Sequence, residues 1–415
     1  MIVSSCVYII CLIAYLTGMN EDKRKNFESL ILVVVFLLAF FHKPLLTDDL
    51  TREYEKLSQI KNMGWSFFNT NYSFQENSLL GRITSNGFEG LYVTQLLYFL
   101  FSKLPVFNFL PACVTSFQFF LCFKLLNKAR KRFSLSYYQE ILLFLSFMFV
   151  RELRWMMSGI RNQLAFTIAI YIVYNDLEEK KNKILCIIGY ILCGMIHQSA
   201  YVVLFLRVLL LIPSKKIKAI IAVLLLGWST MLSTIVQIMS KYINIPVINS
   251  ILWKITIYTD NSKDNINIIL RDYYKKVMIS NSMLLVVAFV FCIIGIRYIR
   301  KFAPGQYNCY MLGRYGNKNI NISENLSENY VYICLYAVCL TIGSYMYYWL
   351  FLRFAVLVQL MLPVLAAYIF SVKNRSYRSA QVEKIFLFFA IMLKFVIMVL
   401  VVNASFDFSL FSLYS

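Results

Sequence analysis

The regular return of apolar runs near bilayer length constrains this chain more than any other feature. A span takes about 20 mostly apolar residues, and runs approaching that length occupy 2–18, 29–46, 106–126, 137–150, 160–175, 184–197, 199–212, 219–239, 278–296, 330–348, 352–371 and 385–402. No water-soluble fold hides so much apolar surface: 60% of the 415 residues are hydrophobic and 15% are charged, against about a quarter charged in a soluble globular protein. The expected class is an all-α polytopic integral membrane protein, a single membrane domain over 1–415 with about 12 transmembrane helices.

Lys and Arg number 41 against 21 Asp and Glu, a net charge of +20. In a soluble chain that excess invites nucleic acid. In so apolar a bulk it is the cytoplasmic charge that orients a membrane protein, so the bilayer is the expected partner and nucleic acid is not. Lys23–Lys25, Lys128 with Arg130–Arg132, Lys180–Lys183, Lys215–Lys218, Arg297–Lys301 and Lys373–Arg378 mark the inner side. Consecutive clusters are separated by an even number of crossings except between Arg24 and Lys128, where 29–46, 88–104 and 106–126 would make three. Phe88–Leu104 is short, carries Glu89 and Gln95, and stops at Lys103 and Pro105. It is therefore expected as an interfacial or re-entrant helix near 88–104 on the outer side, the alternative being a true span. Two long outer loops, 47–87 and 240–277, then carry aromatics, carboxylates and bases together, a mixture suited to sugars. Residues 302–329, with Gly, Asn and Ser throughout, form a cytoplasmic connector. Ile2–Gly18 lacks a basic leader and a small-residue cleavage site, so a retained span is expected rather than a signal peptide.

Metal and nucleotide chemistry find no motif. The cysteines within apolar runs form no CxxC pair, His42 and His197 are the two histidines, and neither GxxxxGK[ST] nor GxGxxG occurs. No metal or cofactor is expected.

Ionisable residues at or inside spans usually serve a site, and three groups stand out. Arg151–Gln163 places Arg154, Ser158 and Arg161 at the outer turn between two spans; if helical, the seven-residue spacing puts both arginines on one face. Their planar forks suit phosphate oxygens, while local pairing with Glu152 is the plainer reading. His197-Gln198-Ser199-Ala200 lies at another outer turn, where the imidazole is a general base or a hydrogen-bonded core residue. Tyr347-Tyr348-Trp349 leads to Arg353, an interfacial anchor or a phosphate contact. Arg207 and Lys394 fall within apolar runs; the first is placed to snorkel, the second needs an unidentified partner.

The order of four segments is familiar. Asp48-Asp49 before Tyr54 is similar to an acidic-then-tyrosine entry to a first outer loop, and Phe88-Glu89-Gly90-Leu91-Tyr92 to a Glu-Gly-aromatic segment. Ile160-Arg161-Asn162-Gln163-Leu164-Ala165 is similar to an Arg-Gln-x-Leu-Ala helix start, with Asn162 in place of the glutamine, and Ile196-His197-Gln198-Ser199-Ala200 to a His-x-Ser-Ala turn. Together they resemble the EpsG-like branch of the Wzy-type polymerases of O-antigen and exopolysaccharide. The resemblance covers about the first half of the chain; beyond it only the span layout and Arg353 correspond.

That resemblance implies a metal-independent membrane glycosyltransferase of the bacterial inner membrane with its active site facing the periplasm. Donor and acceptor are oligosaccharides on undecaprenyl diphosphate, and a chain-length regulator is a further partner. The diphosphate falls to Arg154, Arg161, Arg353 and, more weakly, Arg271. The base lies among Asp48, Asp49, Glu89 and His197. The rival readings are a flippase for the lipid-linked oligosaccharide, whose charges would line a midplane cavity, and a membrane acyltransferase decorating the same glycan.

Overall fold

The computed structural model describes residues 21–44, 49–69, 73–78, 81–86, 90–133, 135–150, 153–242, 265–301, 328–371 and 377–397. In chain order the elements are α1 (Glu21–Phe40), α2 (Asp49–Met63), a 3₁₀ turn (Gly64–Asn69), β1 (Ser73–Ser78), β2 (Gly81–Asn86), α3 (Tyr92–Ser102), α4 (Phe109–Phe133), α5 (Tyr137–Val150), α6 (Leu153–Ser158), α7 (Ile160–Leu177), α8 (Lys183–Ile196), a 3₁₀ turn (Gln198–Ala200), α9 (Tyr201–Leu209), α10 (Lys215–Tyr242), α11 (Asn265–Lys301), α12 (Glu328–Gly343), α13 (Tyr348–Ser371) and α14 (Tyr377–Val396).

Every expected apolar run from 29–46 onward overlaps a described helix; 2–18 lies outside the described residues. Helix length corrects the count of spans. Among the described residues three helices are long and apolar enough to cross a membrane, Phe109–Phe133, Lys275–Ile299 and Trp349–Ser371, not about 12. The 14 residues of α8 and 16 of α12 reach about 21 and 24 Å at 1.5 Å per residue, short of a hydrocarbon core about 30 Å thick. The runs look longer than their helices because turns inside them are made of apolar residues: α9 stops at Leu209 within 199–212, and α12 stops at Gly343 within 330–348. The segment near 88–104 holds the 11-residue α3, about 16 Å long. Thr94, Tyr98, Phe99 and Ser102 form its buried face, while Tyr92, Leu96 and Leu100 point away.

The outer segment 47–87 departs from the all-α expectation. It contains α2, a 3₁₀ turn and an antiparallel hairpin in which Ser78 pairs with Gly81 and Ser73 with Asn86. The segment 240–277 is narrowed from both sides, since α10 runs to Tyr242 and α11 starts at Asn265. Residues 302–327 lie outside the described residues.

Helix α13 forms the middle of the bundle and packs against α4, α5, α7, α11 and α12; nearly all of Leu350–Phe370 is buried. The outer faces are as apolar as the core. Leu30, Val33 and Leu37 of α1, Ile184, Ile187, Ile188 and Ile191 of α8, and Ile220, Val223 and Leu224 of α10 are all exposed. Apolar bands of that extent are untypical of water-facing surfaces and suit a lipid-facing one.

Side-chain contacts sort the two ends of the bundle. At one end Arg24 pairs with Glu140 at 2.8 Å, Lys128 with Glu179 at 2.8 Å, Arg132 with Glu178 at 2.9 Å and Lys215 with Glu328 at 3.0 Å. Lys128 also donates to Asn175 at 2.7 Å, and Lys218 to Asn329 at 2.9 Å. At the other end Asn108 Nδ2 donates to Phe40 O at 2.5 Å and Thr94 Oγ1 to Ile196 O at 2.7 Å. With Lys181 on Glu179 at 3.1 Å, four of the basic clusters counted as inner gather at one end.

Two cations within apolar runs acquire partners, Lys394 buried and Arg207 half-buried. Arg207 does not snorkel: its Nε lies 2.5 Å from Asp176 Oδ2, which also accepts from the Tyr190 hydroxyl at 3.2 Å. Lys394 donates to Asn281 Oδ1, which accepts a second bond from Gln359 Nε2 at 2.8 Å.

Candidate functional site

The end opposite the basic clusters collects the polar groups that those clusters do not explain. Its frame comes from α2, α3, the start of α7 and the turn between α8 and α9. In α2, Leu50, Leu57 and Ile60 are fully buried, a spacing of seven and three that makes one apolar stripe. Glu53 falls on that stripe, three residues from Leu50, and is 5% exposed. There its Oε1 receives Arg161 Nη2 at 2.9 Å, and its Oε2 lies 3.6 Å from Lys56 Nζ. The Tyr98 side chain of α3 is close enough to the same carboxyl to bear on its charge. Burial pushes the Glu53 carboxyl up, yet Arg161, Lys56, Tyr98 and Arg52 outweigh it and hold the group below its ordinary range. Burial and the neighbouring carboxylate together push the Tyr98 phenol well above its own.

Arg161 is the second residue of α7. The preceding Gly159 breaks the chain between α6 and α7 where its N–H bonds Trp155 O at 2.8 Å, and a Cβ there would sit 3.1 Å from that same carbonyl oxygen. The break has a consequence for Arg154. It lies on α6, so the seven-residue spacing to Arg161 does not run along one helix face.

The next residue of α7 makes the link to the histidine turn. Asn162 Oδ1 accepts from Ser199 Oγ at 2.8 Å, and Ser199 Oγ lies 2.7 Å from His197 Nδ1, which also accepts the Ser199 N–H at 3.3 Å. Neutral His197 with its proton on Nε2 satisfies the bond from the Ser199 N–H. Protonated, it donates from Nδ1 to Ser199 Oγ, whose own hydrogen bond goes to Asn162 Oδ1. The network therefore serves the imidazole in both states needed for proton transfer. Gly194 closes this turn: a Cβ there would lie 2.2 Å from the Tyr201 ring, so only glycine lets α9 fold back against α8 at that point. On the other flank Thr94 ties α3 to the carbonyl just before His197.

Of the expected site residues, Arg161 and His197 lie at the same end of the bundle, the histidine turn bonding Asn162 next to Arg161. Asp49 is exposed at the start of α2 and paired with Arg52. Arg353 is half-buried in the second turn of α13, a helix that packs on α7. Arg154 and Arg271 have their backbones placed in α6 and α11, with side chains outside the description; Asp48 and Glu89 lie outside the described residues. Gln163, beside Asn162, is buried at 5% exposure, so it is Asn162 that faces the histidine turn.

Glu53, Lys56 and Tyr98 are the members that motif reading passed over, while Ser199 lay in the His-x-Ser-Ala segment without a role. Beside them Trp65, exposed at 76%, leans on Phe99 with ring centroids 4.6 Å apart, and Phe68 meets Phe99 at 4.9 Å. No family model, no curated protein and no solved structure matches this chain.

Proposed function

We propose that this protein is a membrane glycosyltransferase of the kind its motifs resemble, a Wzy-type polysaccharide polymerase of the bacterial inner membrane. An acceptor hydroxyl attacks the anomeric carbon of a glycan held on undecaprenyl diphosphate. The carbon–oxygen bond to the diphosphate breaks, the hydroxyl proton passes to a base, and the lipid diphosphate leaves. Arg161 with Arg154, Arg353 and Arg271 would stabilise the leaving charge as an oxyanion hole does, and His197, Asp48, Asp49 or Glu89 would take the proton.

One observation carries the reading: His197, an imidazole suited to proton transfer, is tied through Ser199 to Asn162, the neighbour in α7 of Arg161, a cation suited to phosphate. The lipid-type exposed faces, the basic clusters at the far end and the exposed Trp65 and Phe68, packed on the buried Phe99 and offering a stacking surface for sugar, support it. With the basic end cytoplasmic the site faces the periplasm. In this reading α3 lies at the outer interface, its 11 residues too few to span the bilayer.

The glycan pattern of a deletion strain tests this. Loss of the protein should leave surface lipid carrying one repeat unit in place of a ladder, and His197→Ala at normal protein level should do the same. Complete loss of the glycan in the deletion strain would instead favour the flippase, and a full ladder from His197→Ala would remove the histidine from the site.

A further inference from the structure

We propose that the Glu53 carboxylate is a tethered stand-in for the substrate's diphosphate, and that Lys56 joins Arg161 as the cation pair that takes the diphosphate when α2 gives Glu53 up. The proposal rests on the reading of this end as a lipid-diphosphate site and adds to it a ligand, Lys56, and a resting state.

The geometry is that of a bridging anion. One carboxylate oxygen goes to the guanidinium at 2.9 Å and the other to the ammonium at 3.6 Å, so a two-oxygen anion spans two cations carried by different helices, α7 and α2. A diphosphate offers the same arrangement with more oxygens and more charge, and a guanidinium fork takes carboxylate and phosphate in the same planar way. Arg161 sits in the first turn of α7, where the helix's unpaired N–H groups add positive potential. The two cations differ in access. The Arg161 side chain is 23% exposed while those of Glu53 and Lys56 are 6% and 9%, so an incoming anion meets the arginine first. Glu53 then leaves as α2 loosens, while Leu50, Leu57 and Ile60 hold the helix against the bundle through apolar contacts that need no ion pair. In the absence of substrate Glu53 covers the cations against other anions. Once the diphosphate has replaced it, the carboxylate is released beside the reacting sugar.

The test is binding of farnesyl diphosphate, a soluble lipid diphosphate, to the full-length protein in detergent. Arg161→Gln and Lys56→Gln should each weaken binding about tenfold or more. Glu53→Gln should tighten it by about tenfold, because removing the competing carboxylate removes the population cost of the occupied state. Unchanged or weaker binding by Glu53→Gln would overturn the proposal, since a glutamate that only positions Arg161 has that effect. No binding by the wild type, or none lost in Arg161→Gln, would overturn the diphosphate reading itself and this inference with it. Hydrogen exchange on the wild type gives an answer independent of any variant. Saturating farnesyl diphosphate should speed exchange across 49–63, and unchanged or slower exchange there would also overturn the proposal.

Discussion

The two ends of this bundle put ion pairs with a buried acid and a partly exposed arginine to different uses. At the basic end, cations and acids come from helices that pack directly on one another: Asp176 of α7 holds Arg207 of α9 and the Tyr190 hydroxyl of α8, and Glu178, just past α7, holds Arg132 of α4. At the opposite end, Glu53 reaches Arg161 from α2, an element of the outer segment that packs on α3, α6 and the hairpin. The first arrangement locks helices that apolar contacts already hold. The second fastens a peripheral helix to the bundle through the residue with the best claim to a phosphate. A buried pair adds little over a well-packed apolar one, yet losing one partner costs roughly 3–5 kcal/mol, so the same chemistry serves as a rivet at one end and as a latch at the other.

The strongest way to break this comparison is to cut both pairs. Asp176→Asn should destabilise the protein by roughly 3–5 kcal/mol, and Arg161→Gln by a similar amount, read as falls in melting temperature in detergent. The two should part in function. Asp176→Asn should keep a full ladder per folded molecule, whereas Arg161→Gln should make none. Adding Glu53→Gln to Arg161→Gln removes the stranded carboxylate and should restore most of the stability without restoring the ladder. Stability and ladder returning together would make the outer pair one more rivet.

A smaller effect separates the histidine turn from both pairs. Ser199→Ala removes one hydroxyl that is half-buried, so its stability cost should stay within about 1 kcal/mol. Its effect on catalysis should be larger, with kcat falling about tenfold and the pH profile of kcat moving, because the Ser199 hydroxyl bridges Nδ1 of His197 to Asn162. A fall in kcat with an unmoved pH profile would mean that the serine only braces the turn.

How far this was readable beforehand varies with the range of the contact. Helix positions follow from local pattern, so the apolar runs found them, and the two motifs holding Arg161 and His197 did lie at one end. Helix lengths were not readable because hydropathy does not register a turn built from apolar residues, as at Leu210–Ile212 or Tyr345–Tyr347. The alignment of Arg154 with Arg161 fails at Gly159, where a glycine permits a break that spacing ignores. Partners across helices were the least legible: nothing local links Lys394 to Asn281 or Arg207 to Asp176. Glu53 did leave a signal. Along Leu50, Glu53, Leu57 and Ile60 a charge interrupts an apolar stripe, but a segment taken as loop hides the stripe, since only a helix puts those residues on one side.

The smallest effect is acid sensitivity, and its sign follows from the pair. Glu53 is held below its ordinary value of 4.5, so it contributes stability that is fully present above that value and fades as pH falls through the lower, folded one. Glu179 at the basic end is lowered too, against the pull of burial, by Lys128 and Lys181, but its side chain is 28% exposed against 6% for Glu53, and solvent weakens what such a pair contributes. Melting measured from about pH 6 to about pH 3 should therefore fall in the wild type, fall less steeply in Glu53→Gln, and fall nearly as in the wild type in Glu179→Gln. If the Glu179 variant flattened the curve and the Glu53 variant did not, the more tightly held carboxylate would belong to the basic end, and the latch would be the weaker of the two contacts.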